Sequence, residues 1–270
     1  MLLSDSHTHS KYSFDSDQTV DELCESAIAN GVSRIALTDH YDIDCILDGY
    51  YDDYDAVSAA RDVERCREKY AGALDIVFGI EIGQPHLRDR EAHEFIRRHG
   101  IEFVISSVHN LDRVPDFIFI NYKDVPQPLI NSLYHRYIDE LCGAASFDGA
   151  HTLAHITYPC RYIMRDGRSI DLREFYDHYL ELFRIMRERG VALELNTSGI
   201  RKGYGLSPTV EMLDLYRESG GELVSCGSDT HIVGDCGKNV RDCIALLAQH
   251  GFRYITYPCH GGSEQVKIEL

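Results

Sequence analysis

The sequence has no segment suited to crossing a membrane. No apolar run approaches the roughly 18 residues that a transmembrane helix needs. The first residues also lack the basic stretch and apolar core of a secretory signal peptide. We therefore expect a cytoplasmic protein without a membrane partner.

Paired cysteine motifs are absent as well. The nine cysteines are an odd number, and no two are spaced as Cys-x-x-Cys, which argues against a zinc ribbon or a thioredoxin-like redox site. Four cysteines fall inside predicted helices, where we expect them to be reduced and buried: Cys24, Cys66, Cys142 and Cys243.

Basic residues are scarce, since 27 Lys and Arg stand against 44 Asp and Glu, a formal net charge of −17. Nucleic acids and acidic membranes require a basic surface, so neither is an expected partner. A small anionic substrate remains compatible with this charge, because bound metal dications and a few arginines can reverse the sign inside one pocket.

Flexible linkers, low-complexity tracts and close repeats are also missing from the 270 residues, so we predict a single domain over residues 1–270. Short apolar runs alternate with amphipathic stretches, which favours a (β/α) barrel or an open parallel sheet of the α/β class. The predicted strands are Leu2–Ser6, Arg34–Thr38, Ile76–Ile82, Phe103–Ser107, His151–His155, Ala192–Asn196, Leu223–Gly227 and Tyr254–Tyr257. The predicted helices are Thr19–Asn30, Asp55–Tyr70, Glu91–Arg98, Pro128–Cys142, Asp171–Glu188, Pro208–Ser219 and Gly237–His250.

Six of these strands carry metal-binding residue types at or near their carboxyl ends. Catalytic residues of (β/α) barrels come from this end of several strands, so the placement predicts a functional site. A lone histidine at a strand end is usually a hydrogen-bonded loop residue, but six such features in register with the strands are hard to obtain by chance. The candidate metal ligands are His7, His9, Asp15, His40, Glu81, His109, His155, Asp229 and His231.

Spacing and chemistry favour a centre with several ions. His7 and His9 lie two residues apart, as do Asp229 and His231, so each pair can face one ion from a strand. Imidazole and carboxylate together suit Zn, Fe or Mn. Nine side chains exceed what one ion can bind, which predicts two or three divalent metal ions.

The same residues resemble the PHP (polymerase and histidinol phosphatase) superfamily. The resemblance runs from Ser4 to His231 and rests on the His7-x-His9, Thr38-Asp39-His40, Glu81, His109, His155 and Asp229-x-His231 motifs. Three further stretches resemble the histidinol-phosphatase branch, around Gly79–Gly83, Ala154–Tyr162 and Glu194–Arg201. The sequence departs from the common pattern at Tyr158-Pro159-Cys160.

The resemblance implies a distorted (β/α)7 barrel, similar to a TIM barrel, with a trinuclear metal site. His7, His9, Glu81 and Asp229 would hold one ion, and Glu81, His109 and His155 a second. Asp15, His40 and His231 would hold the third. The resemblance also implies that Arg161 and Arg201 bind phosphate, although a surface salt bridge is the alternative for both.

The activity implied is that of a phosphatase of histidine biosynthesis, which hydrolyses histidinol phosphate through attack of a metal-bridged hydroxide on phosphorus. Asp229 or His231 could assist proton transfer to the leaving alkoxide. We expect Asp39 to orient a histidine, as carboxylates beside metal sites often do.

Three other functions stay open. Amidohydrolases also begin with His-x-His on a barrel strand, but they typically bridge their metals with a carboxylated lysine, where this sequence has Glu81. A PHP enzyme acting on another phosphate ester or on a phosphodiester is the nearer alternative. A non-catalytic PHP module is disfavoured because such modules tend to lose ligands.

Overall fold

Eight parallel strands between residues 4 and 227 form a sheet that curls into a nearly closed barrel, seen in a computed structural model that describes residues 2–43 and 54–269. The strands are β1 (Ser4–Thr8), β2 (Arg34–Leu37), β3 (His40–Asp42), β4 (Asp75–Gly83), β5 (Phe103–Ser107), β6 (Thr152–Leu153), β7 (Ala192–Asn196) and β8 (Val224–Gly227). The predicted barrel of the α/β class is confirmed.

Strands β2 and β3 together occupy one of the seven positions around the barrel. Strand β2 pairs with the first half of β4, where Arg34 lies opposite Asp75, and β3 pairs with its second half, where His40 lies opposite Glu81. His40 therefore begins a new strand and does not follow the end of the predicted one. Thr38 and Asp39 separate the two strands.

Hydrogen bonds between the first and last strands close the barrel at its carboxyl end. The His9 amide donates to the Thr230 carbonyl at 3.0 Å, and the Asp229 amide donates to the His7 carbonyl at 2.8 Å. These two bonds place the His7-x-His9 motif beside the Asp229-x-His231 motif.

The helices lie outside the strands, and most match the predicted ones within a few residues. They are α1 (Val20–Ala29), α2 (Ala56–Lys69), α3 (Asp89–His99), α4 (Gln127–Ser146), α5 (Tyr158–Arg165), α6 (Tyr176–Arg189), α7 (Ser198–Arg201), α8 (Val210–Glu218) and α9 (Val240–Gln249). Helices α5 and α7 were not predicted. Short 3-10 turns cover Pro85–Arg88, Phe117–Phe119 and Leu172–Phe175.

Alternation along the strands separates two apolar cores. A large core fills the space between strands and helices, and a small one inside the barrel contains Ala36, Val77, Phe103, Ile105 and Ala154. Because side chains two residues apart share a side, the inward row that starts at Val77 on β4 continues through Gly79 to Glu81. The barrel interior thus carries a carboxylate at its mouth.

The predicted strand Tyr254–Tyr257 is real, but its expected place as a buried parallel strand is wrong. It belongs to β9 (Tyr254–Cys259), which pairs antiparallel with β10 (Gly262–Lys267) in a separate two-stranded sheet. The hairpin packs against the amino-terminal ends of the barrel strands, where the Arg34 guanidinium donates to the Pro258 carbonyl at 3.1 Å.

Of the four cysteines predicted to be buried in helices, three are buried and Cys142 is half-buried. Within the described residues, none of the helices combines the length and the hydropathy that a membrane span requires.

Candidate metal centre

The structure brings all nine predicted metal ligands together at the carboxyl-terminal mouth of the barrel. Seven lie in the carboxyl-terminal part of a strand or within four residues after it, whereas His40 begins β3 and Asp15 lies in the loop after β1. Asp15 reaches the group through His231, whose Nε2 is 3.1 Å from its Oδ2. Parallel strands make this convergence possible, because all their carboxyl ends meet at one rim.

Glu81 is the centre of the cluster. Its Oε2 lies 3.1 Å from His7 Nε2 and 3.1 Å from His40 Nδ1, and its Oε1 lies 2.9 Å from His155 Nε2 and 3.2 Å from His109 Nε2. The carboxylate is completely buried. Imidazole nitrogens therefore lie close to both carboxylate oxygens of Glu81.

The donor atoms form overlapping groups in which all atoms lie within 4.8 Å of one another. Shared members such as His9 and His109 place the groups side by side. The groups are His7 with His9 and Asp229; His9 with His40 and His231; Glu81 with His109 and His155; and His40 with Asp42 and His109.

His9 provides a test of whether these residues fit a metal ion. Its Nδ1 lies 3.0 Å from Ser13 Oγ, which leaves Nε2 as the atom that points into the cluster. Within the described residues, this buried Nε2 has no hydrogen-bond partner, and it lies 3.4 Å from Asp229 Oδ1. A buried polar atom without a partner is costly, and a metal ion would satisfy it. The donor set therefore fits Zn, Fe or Mn.

The cluster is also coupled electrostatically. Burial opposes the charged form of His7, but the carboxylates of Glu194 and Glu81 hold its pKa well above the ordinary value. Burial likewise works against ionised Glu81, yet His7 and His40 hold the pKa of this carboxyl well below its usual range. Metal ions compete with protons for such sites, so the charge that protons supply here can be supplied by metal.

Two carboxylates of the site were missed by the sequence analysis. Glu194 Oε1 lies 2.6 Å from His7 Nδ1, and its Oε2 accepts a hydrogen bond from the His155 amide at 2.9 Å. Asp42 Oδ1 lies 2.9 Å from His109 Nδ1. Such contacts fix the ring orientation and tautomer of a metal-binding histidine. Asp42 could have been found from its position two residues after His40.

Among the described residues, Asp39 hydrogen-bonds to no histidine directly, and its predicted orienting role can only be indirect. Its carboxylate accepts hydrogen bonds from the Ser10 amide at 2.6 Å and from the Ser10 and Ser13 hydroxyls at 3.0 Å. The loop after β1 brings Ser13 between Asp39 and His9, so Asp39 acts on the histidine only through this serine.

Tight backbone packing holds the mouth in place. The backbone of Asp229 has a φ of 51° and that of His155 a φ of 25°, in the left-handed region that non-glycine residues rarely adopt. At Gly227 a Cβ atom would collide with His7 and with Glu194 Oε1. This close approach requires glycine.

A cavity of about 450 Å³ opens above the cluster. Arg161 enters it from helix α5, with its guanidinium carbon 4.9 Å from the centre of the Tyr158 ring. The side chain is buried, and its Nη2 has no hydrogen-bond partner among the described residues. The lining residues are Phe14, Asp15, His40, Asp42, His109, Asp116, Ile118, Phe119, His155, Tyr158, Arg161, Tyr162, Lys202, Asp229, His231 and Ile232.

Arg201 is not among these lining residues. Its Nε lies 3.1 Å from Asp235 Oδ2, and its Nη2 donates to the Ser228 carbonyl at 2.7 Å. These contacts match the salt-bridge alternative, whereas the next residue, Lys202, does line the cavity. A phosphate contact of Arg201 stays a prediction.

Comparison with known proteins finds relatives that are named as histidinol-phosphatases. The chain is 24% identical over 269 residues to a probable histidinol-phosphatase of Thermotoga maritima, covering 98% of this chain and 99% of that protein. It is 23% identical to a histidinol-phosphatase of Lactococcus lactis, over 92% of this chain and 91% of that protein.

Solved structures agree on the fold. The histidinol phosphate phosphatase of Lactococcus lactis, in complex with zinc, L-histidinol and phosphate, matches with a TM-score of 0.79 at 20% identity, over 97% of this chain and 98% of that one. A putative histidinol phosphatase of Listeria monocytogenes matches with a TM-score of 0.69 at 18% identity, over 88% of this chain and 99% of that one. The family model of the PHP domain matches residues 5–198, and the chain therefore belongs to the PHP domain family.

Proposed function

We propose that this protein is a metal-dependent phosphomonoesterase that hydrolyses L-histidinol phosphate to L-histidinol and phosphate. The observation that carries the proposal is the Arg161 guanidinium, buried in the wall of a cavity that is also lined by the His and Asp side chains of the cluster. Relatives named as histidinol-phosphatases, which align over nearly the whole chain, support the choice of substrate.

The chain's own residues divide the work of phosphate binding. Arg161 offers a planar set of N–H donors that matches two phosphate oxygens, and its Nη2 has a donor to spare. Burial in a cavity strengthens this contact, because the local dielectric constant is lower than in water. Lys202 adds a second positive charge at the cavity wall.

Two or three divalent ions would be held by the nine ligand candidates, with Glu81 between them. Zinc is supported by the metal named with the Lactococcus structure, while the donor types also suit Fe and Mn. When bound, such ions neutralise phosphate charge and lower the pKa of coordinated water to about 7. Glu194 and Asp42 would keep His7 and His109 in the orientation that binding needs.

Asp229 and His231 remain the candidates for proton transfer to the leaving alcohol. Both line the cavity, and His231 Nδ1 lies 3.5 Å from Asp229 Oδ1. Asp15, at 3.1 Å from His231 Nε2, would orient this ring.

The cavity favours a small monoester over a polymeric diester. A volume of about 450 Å³ accommodates a molecule of the size of histidinol phosphate. The net charge of −17 disfavours a nucleic acid strand outside it. The alternative substrate is another small phosphate ester or a phosphodiester. Such a substrate would place a different alcohol group in this cavity.

A panel of phosphate esters tests the proposal. The purified protein, with its metals quantified by mass spectrometry, is assayed with L-histidinol phosphate, p-nitrophenyl phosphate and bis(p-nitrophenyl) phosphate. We expect the highest kcat/KM for L-histidinol phosphate, and loss of all activity after thorough chelation. Faster cleavage of the bis-ester would identify a phosphodiesterase, and activity that survives chelation would refute the metal mechanism.

A further inference from the structure

The cavity wall carries one more carboxylate, Asp116, which is not among the metal-ligand candidates. It lies directly before the 3-10 turn Phe117–Phe119 and is 7% exposed. Nothing in the sequence marked it, because it follows no predicted strand. Its side chain nevertheless lines the same cavity as Arg161 and the metal-ligand candidates.

Neutral donors fix the position of this carboxylate. Asp116 Oδ1 accepts hydrogen bonds from the Ile118 amide at 2.9 Å and from the Tyr158 hydroxyl at 3.2 Å. Tyr158 is held in turn by the Tyr162 hydroxyl, which donates to it at 2.9 Å. The chain thus places a negative charge in the wall on rigid supports.

The other three carboxylates that line the cavity serve the metal cluster. Asp15 lies 3.1 Å from His231, Asp42 lies 2.9 Å from His109, and Asp229 lies 3.4 Å from His9. Each of these three side chains is a metal-ligand candidate or contacts one of the cluster's histidines.

Tyr158 joins Asp116 to the proposed phosphate contact. The Arg161 guanidinium lies over the face of the Tyr158 ring, and the hydroxyl of the same ring donates to Asp116. A positive group and a negative group therefore flank one aromatic side chain in one wall. Such a wall complements a ligand that carries an anion and a cation a few bonds apart.

The environment of Asp116 also favours a cationic ligand. Burial raises the pKa of the Asp116 carboxyl to about 6, which means that desolvation opposes its charged form. A cation bound beside it would offset this cost. The aromatic side chains of Phe119, Tyr158 and Tyr162 line the same cavity and can add cation–π contacts.

We infer that Asp116 binds the cationic nitrogen group of the leaving alcohol, so that the site selects phosphate monoesters of amino alcohols. The inference rests on the proposed function and deepens it, since it assigns the residue that selects an ester with a cationic alcohol group over an ester with a neutral one. Histidinol carries such a nitrogen in its amino group and a second in its imidazole ring.

Steady-state kinetics of Asp116→Asn test the inference. The substrates are L-histidinol phosphate, its analogue without the amino group, 3-(imidazol-4-yl)propyl phosphate, and the neutral-tailed p-nitrophenyl phosphate. We expect kcat/KM for L-histidinol phosphate to fall about 10-fold or more, as for a lost charged hydrogen bond, and kcat/KM for p-nitrophenyl phosphate to fall about twofold at most. Asp112→Asn, at a side chain that is 65% exposed nearby, is the matched control.

The analogue locates the cation. If the loss disappears with the amino group, Asp116 binds the ammonium; if it persists, Asp116 binds the imidazolium. An equal loss on all three substrates, p-nitrophenyl phosphate included, would overturn the inference, because Asp116 would then act on the metal cluster or on the fold. No loss on any substrate would overturn it as well.

A binding measurement separates this inference from the proposed function. Calorimetric titration of L-histidinol into the metal-loaded protein with phosphate present needs no turnover. We expect the dissociation constant to rise about 10-fold in Asp116→Asn and to stay the same in Asp112→Asn. An unchanged dissociation constant would refute the role of Asp116, whether or not the protein hydrolyses phosphate esters. Failure to hydrolyse any phosphate ester would instead refute the proposed function.

Discussion

The two ends of the barrel use the same residue types in different ways. At the amino-terminal end, His260 lies 3.1 Å from Asp75 and 2.9 Å from Glu102, as close as the histidines at the mouth lie to Glu81. Arg34 pairs with Asp75, and Arg67 pairs with Glu102. Asp75 and Glu102 therefore each have a guanidinium partner.

At the mouth the carboxylates are surrounded by histidines instead. In residues 2–43 and 54–269, the ion pairs of Asp42, Glu81, Glu194 and Asp229 are all with imidazoles. The side chain of Glu81 is fully buried, whereas that of His260 is 51% exposed.

The difference shows that the partners of a histidine–carboxylate group, and not its composition, indicate its role. At the amino-terminal end, guanidinium partners neutralise the carboxylates, so this group is a structural network that attaches the β9–β10 hairpin to the barrel. Imidazoles at the mouth can release their protons to solvent when a metal ion binds, so this group can exchange protons for metal. Four mutational experiments test this contrast.

The largest effect is expected for Glu81→Ala. Removing the central carboxylate should abolish hydrolysis. Loss of a residue that only supports a ligand can lower activity by roughly 100-fold, and loss of a ligand itself should lower it further. We expect the fold to persist, since β4 stays paired on both sides. His9→Ala should behave alike. Phosphate release, metal content and circular dichroism measure these outcomes.

Glu102→Ala is the matched control at the other end of the barrel. It removes a carboxylate that contacts a histidine and an arginine, and it should leave activity and metal content unchanged. Should Glu81→Ala keep its metals, or Glu102→Ala lose them, the contrast between the two ends would be wrong.

A smaller effect is expected for Glu194→Gln, which keeps the shape of the side chain but removes its charge. His7 would lose the carboxylate that fixes its orientation, and such losses typically cost about 10- to 100-fold in metal affinity or activity. Metal titration of the apoprotein followed by activity measurement gives both numbers. Glu102→Gln is the control, and equal affinities in the two variants would argue against a positioning role of Glu194.

Arg161→Ala should mainly raise KM for phosphate esters, by about 10- to 100-fold, because one charged hydrogen-bonding group is lost from the cavity. The exposed Arg173→Ala serves as control. If Arg161→Ala unfolds the protein and leaves KM unchanged in the folded remainder, the phosphate contact of Arg161 is refuted.

Arg201→Ala tests the second predicted phosphate contact. A higher KM would support this contact, and a lower melting temperature alone would assign Arg201 to its ion pair with Asp235.

The barrel could be predicted because its signals are local. Apolar runs with polar ends marked the strands, and parallel strands bring their carboxyl ends to one rim, so nine residues scattered from His7 to His231 could be placed together in advance. Strand β3 was missed because it has only three residues, and β10 because its sequence GSEQVK contains no apolar run.

Other parts depend on contacts that no local pattern reveals. Helix α5 is eight residues long, and Pro159 in its first turn suits a helix start although proline usually suggests a break. Glu194 meets His7 across 187 residues, and Asp116 meets Tyr158 across 42. The roles of these side chains follow from partners that only the folded chain supplies.

The smallest effect is expected for His260→Ala, at the amino-terminal end of the barrel. Hydrogen bonds with Glu102 and Asp75 raise the pKa of His260 in the folded state, so its stabilising charge is fully present below the unfolded pKa of about 6.5 and is lost as the pH rises through the folded pKa. Because the side chain is half exposed, solvent screening limits the effect to about 1 kcal/mol or less. Melting temperatures at pH 6 and pH 9 should show a wild-type advantage that shrinks at the higher pH, with activity and metal content unchanged in the variant. A loss of bound metal in His260→Ala would instead show that the two ends of the barrel are coupled.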